Sequence, residues 1–146
     1  LSLDMSGSIF QQNAQGAVFD AAEAFVNSVV VNAPDGLKHK VAIQVFGNSV
    51  GTGIVVPFTN DGSRLLSVLN DLRGNQESLG STNLYGAYRA AIEEVMQQGN
   101  NLELVERSVV IFTDGVHEAG DIENQRQQSL LSSSIKFARD RIIDIT

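Results

Sequence analysis

Five oxygen-bearing side chains stand where predicted strands end or predicted helices begin. They are Asp4, Ser6, Ser8, Thr82 and Asp114. The first three occupy alternate positions in the run DMSGS, and Gly7 gives that loop the backbone freedom to direct them into one concavity. Carboxylates and hydroxyls, without sulfur or imidazole, are the ligands that hard cations such as Mg²⁺, Mn²⁺ or Ca²⁺ prefer. The set therefore predicts a divalent metal site.

Each of these residues also has an ordinary structural interpretation. Ser8 and Thr82 would serve as helix caps and Asp114 as a turn residue, and taken singly such roles are the commoner ones. Ordinary roles do not, however, require that the residues gather at the same end of one sheet. A predicted fold that gathers them therefore favours a site.

The elements that must position these side chains follow from hydrophobic periodicity. Apolar residues at helical spacing predict helices from Phe10 to about Val31, after the capping run at Asn60, from Thr82, and over Asp121–Phe137. Short apolar runs predict strands before Asp4, over Lys40–Gly47, Thr52–Thr59 and Val109–Phe112, and over Arg141–Ile145. The second and third of these are joined by a short turn, which predicts an antiparallel pair, and Pro57 places the later strand at a sheet edge.

This alternation predicts an α/β fold of the Rossmann-like, doubly wound class. The sheet is expected to be mostly parallel, with one antiparallel edge strand and helices on both faces. In that architecture ligands bind outside the carboxyl ends of the strands. Asp4 and Asp114 follow two such strands, and Thr82 stands at the start of a helix, so the fold brings the candidate ligands to one edge.

Three segments of the chain resemble the von Willebrand factor A domain family. They are DMSGS after an apolar strand, GSTNLYGA opening a helix and VVIFTDG ending a strand. The five positions match the metal-ion-dependent adhesion site of that family without a departure, the resemblance covers nearly the whole chain, and the LYGA form is typical of bacterial members. The family normally continues through a helix, a strand and a terminal helix beyond the equivalent of Ile145, so we expect its last elements to be missing here.

The resemblance implies a metal-dependent protein interaction or adhesion domain rather than an enzyme. Ser6, Ser8 and Thr82 would offer hydroxyl oxygens, while Asp4 and Asp114 would hold the ion directly or through water. The ion, Mg²⁺ first and Mn²⁺ or Ca²⁺ as alternatives, would keep an exchangeable position for a carboxylate from a protein partner. An extracellular, cell-surface or periplasmic location is favoured. A domain of a cytoplasmic assembly, as in the chelatase-linked members, would carry the same site.

Length and composition limit the other classes. A chain of 146 residues predicts one domain over residues 1–146, and its strand-like ending indicates a piece of a longer protein. A net charge of −7 without a basic stripe disfavours nucleic acid as a partner. The absence of cysteine excludes thiolate chemistry and disulfides. No apolar run is long enough for direct membrane insertion, and the oligomeric state is left open.

One enzymatic alternative rests on a short motif. The run GNSVG from Gly47 to Gly51 fits the G-x-S-x-G nucleophile elbow, with Asp114 and His117 as partners for Ser49. That elbow must lead from a strand into a helix, whereas a second strand is predicted here. His117 is interpreted as an exposed loop residue, with a place at the rim of the metal site as the alternative, and His39 as a solvated turn residue.

Overall fold

The computed structural model describes most of the chain up to the end of the predicted central strand. The ranges are 1–34, 36, 39–48, 53–75, 77–98 and 107–114, followed by 125–126, 128–129, 132–133, 135–136 and 143–145. The residues Ser49, Gly115 and His117 lie outside these ranges, so the expectations placed on them stay predictions.

The described strands form a mixed four-stranded sheet and a two-stranded parallel one, with a single antiparallel pair among them. They are β1 (Ser2–Asp4), β2 (Val41–Phe46), β3 (Ile54–Thr59), β4 (Arg107–Val109), β5 (Ile111–Phe112) and β6 (Ile143–Ile145). The order in the main sheet is β3-β2-β1-β5, in which β1 runs parallel to both of its neighbours and β3 runs antiparallel to β2. The predicted sheet and the edge position of the strand containing Pro57 are confirmed.

The predicted central strand Val109–Phe112 is longer than expected and is divided in two. It begins at Arg107 and breaks at Val110, whose carbonyl accepts a hydrogen bond from Ser2 N at 2.8 Å. The two halves serve different neighbours, because β5 pairs with β1 whereas β4 pairs in parallel with β6. Val109 is buried, but Ile111 and Phe112 are half-buried, so the expected cover on both faces is met only in part among the described residues.

The predicted helix from Phe10 to about Val31 is wrong in its start and its continuity, whereas its end at Val31 is confirmed. Helix α1 (Gly7–Gln11) is followed by Asn13, which adopts a left-handed φ of 52°. Helix α2 (Gln15–Val26) comes next and is continued by a π-helical turn over Asn27–Val31. The amides of Asn13 and Ala14 bond the carbonyls of Phe10 and Ile9, which is the Schellman pattern of a helix end. Asparagine tolerates this conformation better than most residues, and helical periodicity alone does not register such a break.

The next two helices begin at side-chain caps. Asp61 precedes α3 (Gly62–Gly74) and accepts a hydrogen bond from Arg64 N at 3.0 Å, as its place in the capping run predicted. Asn83 precedes α4 (Leu84–Gln98), and its Oδ1 accepts from Gly86 N at 3.0 Å. The predicted start at Thr82 was therefore two residues early. Among the described helices, none has the length and apolar character that a membrane crossing requires.

Helices cover both faces of the sheet, as expected. On one face α2 and α3 pack over a cluster that includes Leu3, Ile43 and Val56. On the other face α4 contacts β2, and its Ile92 also packs against Val109 of β4. Because the two residues are neighbours in β1, Leu3 and Ser2 point to opposite faces, and Ser2 is tied to α4 through Gln44, whose Nε2 donates to Ser2 Oγ and to the Ala87 carbonyl.

Neighbouring valines in β3 offer a direct test of which side of the edge strand is buried. The side chain of Val56 is fully buried against the cluster of α2 and α3, whereas Val55 is 38% exposed. We expect Val56→Ala to lower the free energy of unfolding by about 2 kcal/mol, since it removes buried methyl groups and leaves a cavity. Val55→Ala, measured by the same denaturant titration, should cost less than about 1 kcal/mol. Equal losses would contradict this register.

Candidate metal centre

The carboxylate of Asp4 lies at the end of β1 and is fully buried. One oxygen, Oδ1, accepts a hydrogen bond from Ser6 N at 2.8 Å, and Oδ2 accepts from the Thr113 hydroxyl at 2.6 Å. A buried carboxylate is costly unless hydrogen bonds or a cation compensate for the lost water. The two bonds supply part of that compensation and also hold the carboxylate in one orientation.

The two serines of the first loop present their hydroxyls to each other. Ser6 Oγ lies 3.1 Å from Ser8 Oγ. Ser6 occupies the position that caps α1, but its side chain makes no capping hydrogen bond, and Ser8 lies inside that helix. The capping role considered for Ser8 is therefore wrong. Ser6 and Ser8 instead pair their hydroxyl oxygens with each other, and Ser6 is joined to the buried carboxylate of Asp4 through its amide.

Thr82 precedes α4 and is 1% exposed. Its hydroxyl oxygen is buried and has no hydrogen-bond partner within the part of the chain that the structure describes. The capping role considered for Thr82 is also wrong, because Asn83 caps the helix. A buried hydroxyl without a partner costs about 1–3 kcal/mol. A bound group that uses this oxygen would offset that cost.

Asp114 lies two residues after the end of β5, at the same sheet edge as Asp4. Both of its carboxylate oxygens are buried, and neither has a hydrogen-bond partner among the described residues. Buried carboxylates are ordinarily paired or bound to a metal. Together with Thr82, Asp114 therefore presents three buried oxygen atoms without a hydrogen-bond donor in the part of the chain that the structure describes.

Backbone and side-chain contacts join the three loops that carry the predicted ligands. The Thr113 hydroxyl links the segment of Asp114 to Asp4, and Gly7 N donates to the Gly80 carbonyl, which links the segment of Thr82 to the first loop. The predicted donor set would consist of two carboxylates and three hydroxyls. No group of three or more His, Cys, Asp or Glu side chains suited to a metal occurs in the described ranges. The residues fit a hard cation held by oxygen.

Sequence reasoning missed the part that Thr113 plays. Its hydroxyl donates to Asp4 Oδ2 over a separation of 109 residues, and it thereby joins the ends of β1 and β5. The residue lies within the predicted TDG segment, directly before Asp114. A threonine at the carboxyl end of a strand, next to a candidate ligand, is the signal that could have indicated a supporting role.

The hydrolase motif does not have the required surroundings. The run beginning at Gly47 joins β2 to β3, which are antiparallel, whereas a nucleophile elbow turns from a strand into a helix. Ser49 and His117 themselves lie outside the described residues. His39 is exposed, as its interpretation as a solvated turn residue requires.

A family model described as the von Willebrand factor type A domain matches residues 1–117. The chain belongs to this family. The match includes all five predicted ligand positions, from Asp4 in the first loop to Asp114 after β5. Domains of the family generally mediate metal-dependent protein interactions. No curated protein sequence matches the chain at a significant level.

Solved structures of the same fold come from bacteria and from a mollusc. An aerotolerance-related membrane protein from Bacteroides fragilis, solved with multiple mutations to serines, is 20% identical with a TM-score of 0.67, and BatB from Bacteroides thetaiotaomicron is 23% identical with a TM-score of 0.67. Proximal thread matrix protein 1 from the mussel byssus, with a zinc-occupied MIDAS motif, is 17% identical with a TM-score of 0.69. Each alignment covers 99% of this chain, which spans 62% of the two Bacteroides proteins and 35% of the mussel protein.

The Thr113 hydroxyl provides a test of how firmly Asp4 must be held. Thr113→Val keeps the side-chain volume but removes the donor to Asp4 Oδ2, so we expect the affinity for Mn²⁺ to fall about tenfold, the usual scale for a lost supporting hydrogen bond. Calorimetric titration of the chelator-stripped protein measures this change. Thr59→Val, the same substitution on the edge strand, should leave the affinity unchanged. An unchanged affinity in Thr113→Val would contradict the supporting role.

The buried oxygens of Asp114 predict opposite effects on stability with and without metal. In EDTA, Asp114→Asn should melt at or above the temperature of the natural chain, since it removes a buried charge that has no partner among the described residues. Added Mg²⁺ should raise the melting temperature of the natural chain but not that of the variant. Thermal unfolding followed by circular dichroism in both buffers decides this. A variant that Mg²⁺ stabilises as much as the natural chain would remove Asp114 from the site.

Proposed function

We propose that this domain binds one divalent cation through Asp4, Ser6, Ser8, Thr82 and Asp114 and uses the ion to engage a carboxylate of a protein partner. Such a domain would be a non-enzymatic member of the von Willebrand factor A family with an intact metal-ion-dependent adhesion site. The bound ion would supply an open coordination position with a high affinity for anionic oxygen. The chain's own residues hold the ion and orient its ligands.

One observation carries the proposal. The oxygens of Asp114 and the hydroxyl of Thr82 are buried without partners among the described residues, at the sheet edge where Asp4 is also buried. Leaving three such atoms unsatisfied is costly, and a cation satisfies all of them together because each is an oxygen ligand. A cation bound among them would also neutralise the charge of the carboxylate, which neutral hydrogen-bond donors do not.

The choice of ion follows from the donor chemistry. Carboxylate and hydroxyl oxygens are hard ligands, which favours Mg²⁺, with Mn²⁺ and Ca²⁺ as alternatives. The mussel protein of the same fold carries zinc at its MIDAS motif. Zn²⁺ therefore belongs in the same titration, although the set proposed here contains neither sulfur nor imidazole.

An acidic protein ligand fits the proposed site better than nucleic acid. The three hydroxyls are neutral, and a carboxylate that holds the ion through water neutralises less of its charge than one in direct contact. A divalent ion in this site would therefore keep positive charge that attracts a further carboxylate. The net charge of −7 disfavours contact with a phosphate backbone. The partner is accordingly proposed to present an exposed aspartate or glutamate.

We place the domain outside the cytoplasm of a bacterium, at the cell surface or in the periplasm. The neighbours from Bacteroides support this placement, since one of them is described as an aerotolerance-related membrane protein. The chain spans 62% of that protein, so its partners and activity are not carried over. The alternative is a cytoplasmic assembly that uses the same ion-bridged contact.

The first experiment titrates Mg²⁺, and then Mn²⁺, Ca²⁺ and Zn²⁺, into chelator-stripped protein by calorimetry. We expect saturable binding of one ion, which Asp4→Ala abolishes while its circular dichroism spectrum stays that of the natural chain. The physical reason is that Asp4 is a fully buried carboxylate with a fixed orientation. A ligand that binds only the folded state must also raise its stability, by about 2.7 kcal/mol at a hundred times Kd.

A matched control separates loss of a ligand from loss of charge. Asp71→Ala removes an exposed carboxylate from α3 and changes the net charge by the same amount. Its affinity should equal that of the natural chain. Full affinity in Asp4→Ala, or no saturable binding by the natural chain, would overturn the proposed function.

A further inference from the structure

We propose that Gly47 is the positioning residue for Thr82. The absence of a side chain at Gly47 lets the segment 77–83 lie directly on the end of β2, and that contact determines where the Thr82 hydroxyl lies. The inference rests on the proposed metal site and adds a residue to it that offers no ligand atom of its own.

The segment 77–83 contains no helix or strand and is held by backbone hydrogen bonds. Leu79 N donates to the Met5 carbonyl at 2.7 Å, and Asn48 N donates to the Leu79 carbonyl at 2.8 Å. Asn83 N donates to the Gly47 carbonyl at 2.9 Å. Thr82 therefore lies between two residues, Leu79 and Asn83, that are both bonded to the end of β2.

A side chain at position 47 would collide with this segment. A Cβ atom built on Gly47 would come within 2.6 Å of the Leu79 carbonyl oxygen and 3.0 Å of its carbonyl carbon, and it would also overlap Leu79 Cβ. The first two are backbone atoms, which cannot move aside by rotating a side chain. Any residue other than glycine must displace the segment, and with it the hydrogen bonds that anchor Leu79 and Asn83.

Thr82 depends on these contacts because its own side chain does not anchor it. Its hydroxyl has no hydrogen-bond partner in the described residues, although the residue is 1% exposed. The position of that oxygen is therefore set by the backbone on either side. A displacement of a few tenths of an ångström is significant for a metal ligand, because ligand distances vary by only about 0.2 Å.

The same contacts explain the first glycine of the GNSVG run, which the hydrolase interpretation assigned to a nucleophile elbow. Gly47 is the first glycine of GNSVG, where a nucleophile elbow would use it for a sharp turn. In the structure it follows β2 and lies against Leu79. Gly53, on the other side of the same connection, has open space where its Cβ would be, so close packing distinguishes Gly47 from its neighbour.

The test compares Gly47→Ala with Gly53→Ala, each in the natural chain and in a Thr82→Ala background. Calorimetric titration with Mn²⁺ should show about a tenfold loss of affinity in Gly47→Ala, the scale expected for a displaced ligand, and no change in Gly53→Ala. In the Thr82→Ala background, Gly47→Ala should cause little further loss, since both act through the same hydroxyl. Hydrogen exchange of the Asn83 amide in metal-free protein should be faster in Gly47→Ala.

Gly80→Ala carries the same test if Gly47→Ala does not fold. Gly80 has a φ of +81°, a backbone conformation that strains any residue with a Cβ, so alanine perturbs the backbone of the same segment. The Asn48 side chain that its Cβ would meet can rotate away, so the perturbation comes from the backbone of Gly80 itself. Unchanged Mn²⁺ affinity in the glycine variant that folds, or an equal loss with and without Thr82, would overturn the inference. Absence of Mn²⁺ binding in the natural chain would instead overturn the proposed function, and the two failures are therefore distinguishable.

Discussion

The buried carboxylate of Asp4 is the constraint on which the proposed site depends. It is inaccessible to water, so its charge must be compensated by groups from the protein or by a cation. The protein supplies the Ser6 amide from the loop that follows β1 and the Thr113 hydroxyl from the end of β5. These bonds satisfy the geometry of both oxygens but neutralise none of the charge. The two hydrogen bonds therefore fix the orientation of the Asp4 carboxylate, while its negative charge still favours a cation nearby.

The parallel pairing of β1 with β5 explains how residues so far apart in the sequence meet. The carboxyl ends of parallel strands lie at the same edge of the sheet, and the loop that follows each strand begins at that edge. The third loop reaches the edge differently, since it precedes a helix and is attached by backbone bonds to Met5, Gly7 and the end of β2. Two of the three loops are thus placed by the sheet, and one is placed by close contact between backbones.

The sequence was sufficient for the features that depend on local pattern. The apolar runs predicted the sheet, Pro57 predicted the edge strand, and Asp61 predicted the start of α3. It was insufficient where a single residue or a distant contact decides the outcome. Asn13 breaks the first helix through a left-handed φ that periodicity does not detect, and the break at Val110 reflects neighbours that lie elsewhere in the chain. The candidate ligands were predicted from residue type, but the bond between Thr113 and Asp4 spans 109 residues and required a structure.

The edge strand β3 bears on how the domain behaves in a crowded solution. A sheet edge presents free amides and carbonyls to which another extended chain can add, and the exposed side chains of Ile54 and Val55 would make such an addition favourable. Pro57 lacks an amide hydrogen, and the register of β3 against β2 shifts at two places, which bends the strand away from a regular ladder. An irregular edge with a missing donor is a poor template for adding a further strand, so these two features oppose edge-to-edge stacking of copies of the domain.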